Sequence, residues 1–451
     1  MRNVKTAVVC ALAAAAVCSC ATLKEYSSPE MAVADSLFVA AGQNSIADLG
    51  WKDFFTDPAL QALIEEGLSN NTDLKTAALR VQQAQSSLEM ARKAFLPGVN
   101  IPLAGNMAYS EDRYSGLAES FSLPASASWE IDLGGKLIAS KRKAEAELQR
   151  SELAVRSIKT ELVASIAELY YGLLKLDAQL KVSESTAESW KENVRIMKAM
   201  KEAGMTNEAS VSQTEANSCS VEASLYDLRY NIVQMETALS VLMGVTTRHF
   251  ERSSLQDITM PEMTGTGVPA GLLSRRPDVL ASENLVRQAF YDTQLAQSAF
   301  YPSITINHQG SWEKALTAPA SWLFNLGASV LQPVFAKGKL KGNLEIARSR
   351  QQESIENFRQ TLLNSGKEVS DALALCQSAE GKTDARIRQI KALESAVAST
   401  EMLMRHSGST YLEVLTAQQS LLSARLQQIS DRYDALYGSV ALYKALGGGA
   451  R

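Results

Sequence analysis

"AFYPSITI" at Ala299–Ile306 repeats "AFLPGVNI" at Ala94–Ile101, 205 positions away. The register holds upstream without a gap: Asp73 matches Asp278, Val81 matches Val286, Ala84 matches Ala289, and Ala91 matches Ala296. Chance pairing of small residues does not account for a shared Ala-Phe-x-Pro on top of a fixed shift over some thirty positions. The chain reads as two copies of one unit, a reading that constrains the fold before any local propensity does.

Composition narrows the class. Charged residues make up 21% and aromatics 6% of the 451 positions, with Ala, Leu, Ser, Gln, Glu and Lys dominant, which favours long helices over a sandwich or an α/β enzyme. Net charge is −4, and −6 once Arg2 and Lys5 leave with the leader. No Lys/Arg stripe suited to nucleic acid appears.

Residues 1–19 read as a signal peptide. Arg2 and Lys5 form a positive start, and Ala7–Val17 is an apolar run too short to span a bilayer. The run ends in "VCSC", which resembles a lipoprotein box with Cys20 as the acylated first residue. Val17 and Cys18 depart from the usual pattern, and a secreted protein with a spare cysteine is the alternative. Beyond Cys20 only Cys219 and Cys376 remain, far apart and each within a helical pattern, so no disulfide framework is expected and both read as small core residues.

Residues 20–50 read as a lipidated tether. In 51–98 two short helices are expected: Asp57 caps the first with Pro58 at its first position, Leu60, Leu63, Ile64 and Leu68 form its apolar face, and the second runs from about Leu74 to Phe95. Alternation at Ile101, Leu103, Gly105, Met107 and Tyr109, and its return after "SEDRYSGLAES", predicts a β-hairpin over 99–133. A long helical hairpin over 134–244, a linker over 245–271, and a second set complete the chain: short helices 272–302, β-hairpin 303–336, helical hairpin 337–446 and tail 447–451. No proline interrupts Lys136–Ala203 or Lys339–Arg405. At about 1.5 Å per residue each helix would be roughly 100 Å long. Ile158, Leu162, Ile166, Leu169, Leu173, Leu176 and Leu180 step by fours and threes, a coiled-coil seam.

Two hairpins give four strands, and about eight are needed to close a membrane barrel. Open sheet edges in lipid leave backbone groups unpaired, so hairpins in a membrane require several copies of the chain. Three copies give twelve strands and a usable lumen.

"SWEIDLGGKL", "LLSRRPDVLASENLVRQAFYDTQLAQSAFYPSITI", "STYLEVLTAQQSLLSARLQ" and "LYKALGGG" resemble the TolC-like outer membrane factors of tripartite efflux systems, in their lipoprotein (NodT-like) branch. The resemblance spans about Trp51 to Gly449. It implies a mainly α fold with β structure: four strands per chain, twelve per homotrimer, forming an outer membrane barrel continued by a periplasmic α-helical barrel. It implies a lipid-anchored outer membrane protein reaching into the periplasm, with a periplasmic adaptor and an inner-membrane pump of the resistance-nodulation-division type as partners. Polypeptide export, and a periplasmic coiled-coil scaffold with no channel, are the alternatives.

No enzyme, cofactor or metal site is expected. His249, His308 and His406 are scattered without triad or metal spacing, and "GTGVPAG" lacks a strand-to-helix context for phosphate. In relatives the last return helix begins with an apolar residue and an aspartate four apart that narrow the periplasmic mouth. The matching positions here are Leu412 and Thr416, so the apolar constriction is kept and the carboxylate is not. The helical turns at Gly204, Met205 and Thr206, and at Ser407, Gly408 and Ser409, are the expected adaptor-contacting tips. Met197, Met200, Met205, Met402 and Met404 gather near them. They read as adaptable contact surface, with soft-metal transport as the lesser reading.

Overall fold

The computed structural model describes residues 24–29, 49–101, 104–108, 118–259, 276–315, 321–333, 335–405 and 411–448. The order is α1 (Trp51–Phe54), α2 (Pro58–Asn70), α3 (Thr72–Lys93), β1 (Gly98–Asn100), β2 (Ala104–Ala108), β3 (Ala118–Ile131), α4 (Lys136–Glu202) and α5 (Glu208–Leu242). There follow α6 (Pro277–Ser298), β4 (Ser303–Ala315), β5 (Ser321–Leu331), α7 (Lys339–Arg405) and α8 (Tyr411–Ala445). The repeat is visible in the lengths. α3 and α6 each have 22 residues, α4 and α7 each have 67, and α5 and α8 each have 35.

Two compact units divide the chain: Met1–Ala32, Leu79–Leu153 and Leu280–Gln360 form one, and Val33–Ala78, Ala154–Val279 and Thr361–Arg451 the other. The first contains the sheet. β3 pairs antiparallel with β4, and β4 with β5. β1 and β2 pair with successive stretches of β3, Gly98 opposite Ser128 and Ala104 opposite Ser122. Five strand segments therefore stand where four strands are expected, because one edge strand is written in two pieces.

Helix starts in this unit are tied to the sheet and to one another. Asp132 Oδ2 accepts from the amide of Ile138 at 2.9 Å, capping α4, and Lys136 pairs with Glu130 at 2.8 Å. Lys143 on α4 reaches Asp292 on α6 at 2.7 Å. The N-terminal strap at 24–29 lies on α6: Gln294 donates to the Lys24 carbonyl at 2.7 Å, and Tyr26 meets Phe290 edge-to-face at 5.7 Å.

The second unit holds the main core. Phe54, Phe55, Leu60 and Ile64 pack against Leu162, Ile166, Tyr170 and Leu173 of α4, Leu239 of α5, and Leu436, Val440 and Tyr443 of α8. Each large apolar side chain so buried contributes about 1.5–3 kcal/mol. Phe54 stacks on Tyr443 with centroids 4.3 Å apart. Asp57 caps α2 through the Ala59 amide at 3.0 Å, and also accepts from Tyr170 Oη at 2.5 Å and Ser253 Oγ at 3.0 Å. The expected cap is thus a three-way junction between α2, α4 and the chain after α5.

That following segment, 245–259, is clasped by cations. Arg252 is buried between Asp177, at 2.5 Å, and Glu236, at 2.6 Å. Arg432 donates to the Ile258 carbonyl at 2.5 Å. Arg276 chelates Asp278, the first-turn acid of α6, and also reaches Glu368 and the Ala445 carbonyl. Burial alone would raise the Asp278 pKa, but the Arg276 guanidinium outweighs it and holds the carboxyl below its ordinary value.

The α4 seam continues past Leu180 through the buried Ser183, Ala187, Trp190 and Met197, keeping alternate steps close to 3.5 residues. Met197 is fully buried and is a core residue, whereas Met205 and Met402 are exposed. Cys376 is buried as expected, but Cys219 on α5 is exposed.

Candidate functional site

The sheet has two chemically different faces. Residues directly opposite one another across antiparallel strands share a face, and neighbours along a strand alternate. Trp129, Ala127, Ile306, His308, Ala328 and Leu326 fall on one face by the β3–β4–β5 register, and Val330, Ile304 and Ile131 extend it. The His308 ring lies parallel to Phe324 with centroids 6.1 Å apart, which keeps this histidine on the apolar side. Ser126, Ser128, Glu130, Thr305, Asn307, Gln309, Asn325, Gly327 and Ser329 occupy the other face. Phe324, Leu326 and Val330 are each about two-thirds exposed or more. An apolar face left open beside a polar one is the arrangement of a membrane barrel wall, lipid outside and water inside.

Aromatic residues gather at the helix end of this sheet. Phe300 and Tyr301 are exposed just before β4, Phe335 just after β5, and Trp129 near the end of β3 donates Nε1–H to the Phe95 carbonyl at 2.9 Å. Amphipathic rings suit the boundary between hydrocarbon and water. Among the described residues no helix is long and apolar enough to cross a membrane.

The first helical turn is built on Gly204. Its φ of +76° closes a Schellman cap: Met205 N–H bonds the Met200 carbonyl at 2.8 Å, and Gly204 N–H the Lys201 carbonyl at 2.9 Å. Asn207 then caps α5 by accepting from Ser210 N–H at 3.0 Å. Lys201 pairs with Glu208 across the turn, and Lys198 with Glu215 one turn below at 2.7 Å. Thr206 is half-buried and Met205 is free at the tip.

At the second turn, Ser407, Gly408 and Ser409 lie outside the described residues, as does Cys20. Leu412 and Thr416 are described and brought together. They lie one turn apart on one face of α8, both exposed, and Thr416 Oγ1 donates back to the Leu412 carbonyl at 2.8 Å. The threonine hydroxyl is thus engaged with its own helix. Val414 and Leu415 between them are buried.

Sequence reasoning missed a polar relay beneath this turn. Asn193 on α4 donates to Gln418 on α8 at 3.0 Å, and Gln418 donates to Glu401 on α7 at 3.0 Å. A cavity of about 360 Å³ follows it between the helical hairpins, lined by Gln179, Trp190 and Asn217 on one side and Gln419, Leu426 and Ser430 on the other. Polar residues recurring on the return helices were the available signal, but isolated Gln and Ser in a helix ordinarily mean only a solvated face. Among the described residues no group of three His, Cys, Asp or Glu could hold a metal ion.

The sequence profile described as "Outer membrane efflux protein" matches residues 63–245 and 268–448, one span for each half of the repeat. The cation efflux system protein CusC of Escherichia coli O6:H1 is 30% identical over 455 residues, covering 97% of both chains. The toluene efflux pump outer membrane protein TtgC of Pseudomonas putida is 30% identical over 461 residues, covering 95% of this chain and 93% of that one. The probable outer membrane lipoprotein SilC of Salmonella typhimurium is 27% identical over 426 residues, covering 90% and 89%. A crystal structure of CusC superposes with a TM-score of 0.84 at 28% identity, over 95% of this chain and all of that one. Repeat, two-faced sheet, paired long helices and these likenesses agree: the chain belongs to the outer membrane efflux protein family, whose members are channels and not enzymes.

Proposed function

We propose that the chain works as a homotrimeric, passive exit duct for small molecules such as drugs or toxic compounds, energised by an inner-membrane pump through a periplasmic adaptor. The observation that carries this reading is the sheet, apolar on one face and polar on the other, with β1/β2 and β5 at its edges. Four strand positions cannot close a barrel, and edges are not tolerated in lipid. Three copies would pair β5 of one with β1/β2 of the next and close twelve strands around the polar face. A polar lumen suits a duct for varied solutes, as the relatives named for cations and for toluene are varied in cargo.

Acylation at Cys20 would add a lipid anchor, in keeping with SilC, described as an outer membrane lipoprotein. Leu412 would supply an apolar ring at the periplasmic mouth, and Thr416 leaves that ring without carboxylates. The tips at Gly204, Met205 and Thr206, and at Ser407, Gly408 and Ser409, would meet the adaptor. A photo-crosslinking amino acid at Met205 or Met402 tests this in cells. Capture of a periplasmic adaptor at both positions is expected, and trimers that capture none would exclude the coupled duct.

A further inference from the structure

A shift of 203 residues carries α4 onto α7 and α5 onto α8 without a residue gained or lost. Within the chain α4 packs on α8. Tyr433 lies against Gly172 and under Lys175, whose Nζ is 4.7 Å from the ring. Ser430 accepts from Gln179 Nε2 at 3.4 Å, and Leu436 is buried in the α4 core. The same shift maps these α8 positions, together with Ile429, onto Tyr226, Asp227, Tyr230 and Val233 of α5. There the described residues leave the apolar side chains open: Tyr226, Tyr230 and Val233 are each more than half exposed, an i, i+4, i+7 stripe. Contiguous exposed apolar surface of this kind marks an interaction face.

We infer that this stripe is the seat of a second copy of the chain, which lays its α7 along α5 as α4 lies along α8. The repeat selects the occupant, because the helix equivalent to α4 is α7. Charge selects the register. Gln179, the partner of Ser430, maps onto Lys382, and Ser430 maps onto Asp227. Both are exposed, and among the described residues neither has an ion-pair partner within its own chain. A neutral contact inside the chain thus becomes an Asp227–Lys382 ion pair between chains. Each copy offers α5 to one neighbour and α7 to the other, a head-to-tail contact that closes into a ring. The inference rests on the homotrimer proposed above and assigns the helices and the pair that join its subunits.

The test uses full-length protein purified in detergent, with Cys219→Ser removing the exposed native thiol. Two differently tagged chains, one carrying Asp227→Cys and the other Lys382→Cys, are co-expressed and treated with a short bis-maleimide. A covalent dimer bearing both tags is expected, and neither variant alone should cross-link. Separately, Asp227→Lys or Lys382→Asp should lower the trimer fraction at fixed concentration several-fold, and the double reversal should restore it. Trimers by light scattering with no mixed-tag adduct would overturn the interface while leaving the homotrimer standing. Monomers throughout would overturn both. Adducts between identical variants would place a different face at the subunit boundary.

Discussion

Gly244 and Gly447, 203 residues apart, end α5 and α8 in the same left-handed conformation, with φ of +69° and +75°. Each closes the same pair of bonds. Val245 N–H reaches the Ser240 carbonyl and Gly448 N–H the Tyr443 carbonyl, while each glycine's own amide bonds back three residues. The two halves therefore end their return helices by one device, although the residues around it differ.

Those differences predict unequal tolerance. A methyl group on Gly244 would sit 2.9 Å from the Asn70 carbonyl oxygen, whereas at Gly204 nothing lies within 4 Å. Gly204→Ala should cost only the strain of an L residue at positive φ, about 1–2 kcal/mol. Gly244→Ala should cost clearly more, since backbone must move. Apparent melting temperatures by circular dichroism in detergent would rank them.

Arg252 neutralises two carboxylates, one of them the buried Glu236, which His249 also contacts at 2.7 Å. Arg252→Met would leave Glu236 buried without its guanidinium, at a cost of about 3–5 kcal/mol. Glu236→Gln in that background should recover part of the loss. Chemical denaturation of the pair of variants reads the coupling.

Glu168 lies half-buried on α4, and burial raises its pKa above the ordinary 4.5, with Lys444 opposing and Glu161 adding. A carboxyl with a raised folded pKa binds its proton more tightly in the folded state. Its contribution is therefore most favourable below 4.5 and declines as pH rises through the folded value. Glu168→Gln should melt with wild type at pH 4 and slightly above it at pH 7. Equal melting at both pH values would remove the burial argument.

If Cys20 is acylated but the barrel is the main attachment, Cys20→Ala should lose radiolabelled palmitate yet stay in the outer membrane after carbonate washing. One lipid chain holds a protein weakly, whereas a barrel holds it firmly. Recovery of folded protein in the soluble fraction would count against the barrel.

The framework was legible in the sequence wherever one physical constraint dominated. Proline-free runs delimited the long helices, Asp57-Pro58 marked a helix start, and the repeated Ala-Phe-x-Pro placed both hairpins. What escaped were contacts set by tertiary neighbours. Asp57 was readable as a cap but not as the partner of Tyr170 and Ser253, because those arrive from 113 and 196 residues away. Cys219 read as a core residue because a free cysteine in a helix usually is one, yet it is exposed on α5. The Asn193–Gln418–Glu401 relay joins three different helices, so each member by itself read as part of a solvated face.

We propose a duct closed at its periplasmic mouth by Leu412. Hydrophobic constrictions gate by excluding water, and a ring of carboxylates concentrates cations. Thr416→Asp should therefore shift selectivity toward cations, and Ser420→Ala, about two turns of α8 beyond Leu412, should change little. The most direct measurement is single-channel conductance of Leu412→Ser and wild type in planar bilayers. Small, infrequent openings are expected for wild type and a several-fold larger conductance for Leu412→Ser. Equal conductance for the two proteins would contradict closure by Leu412.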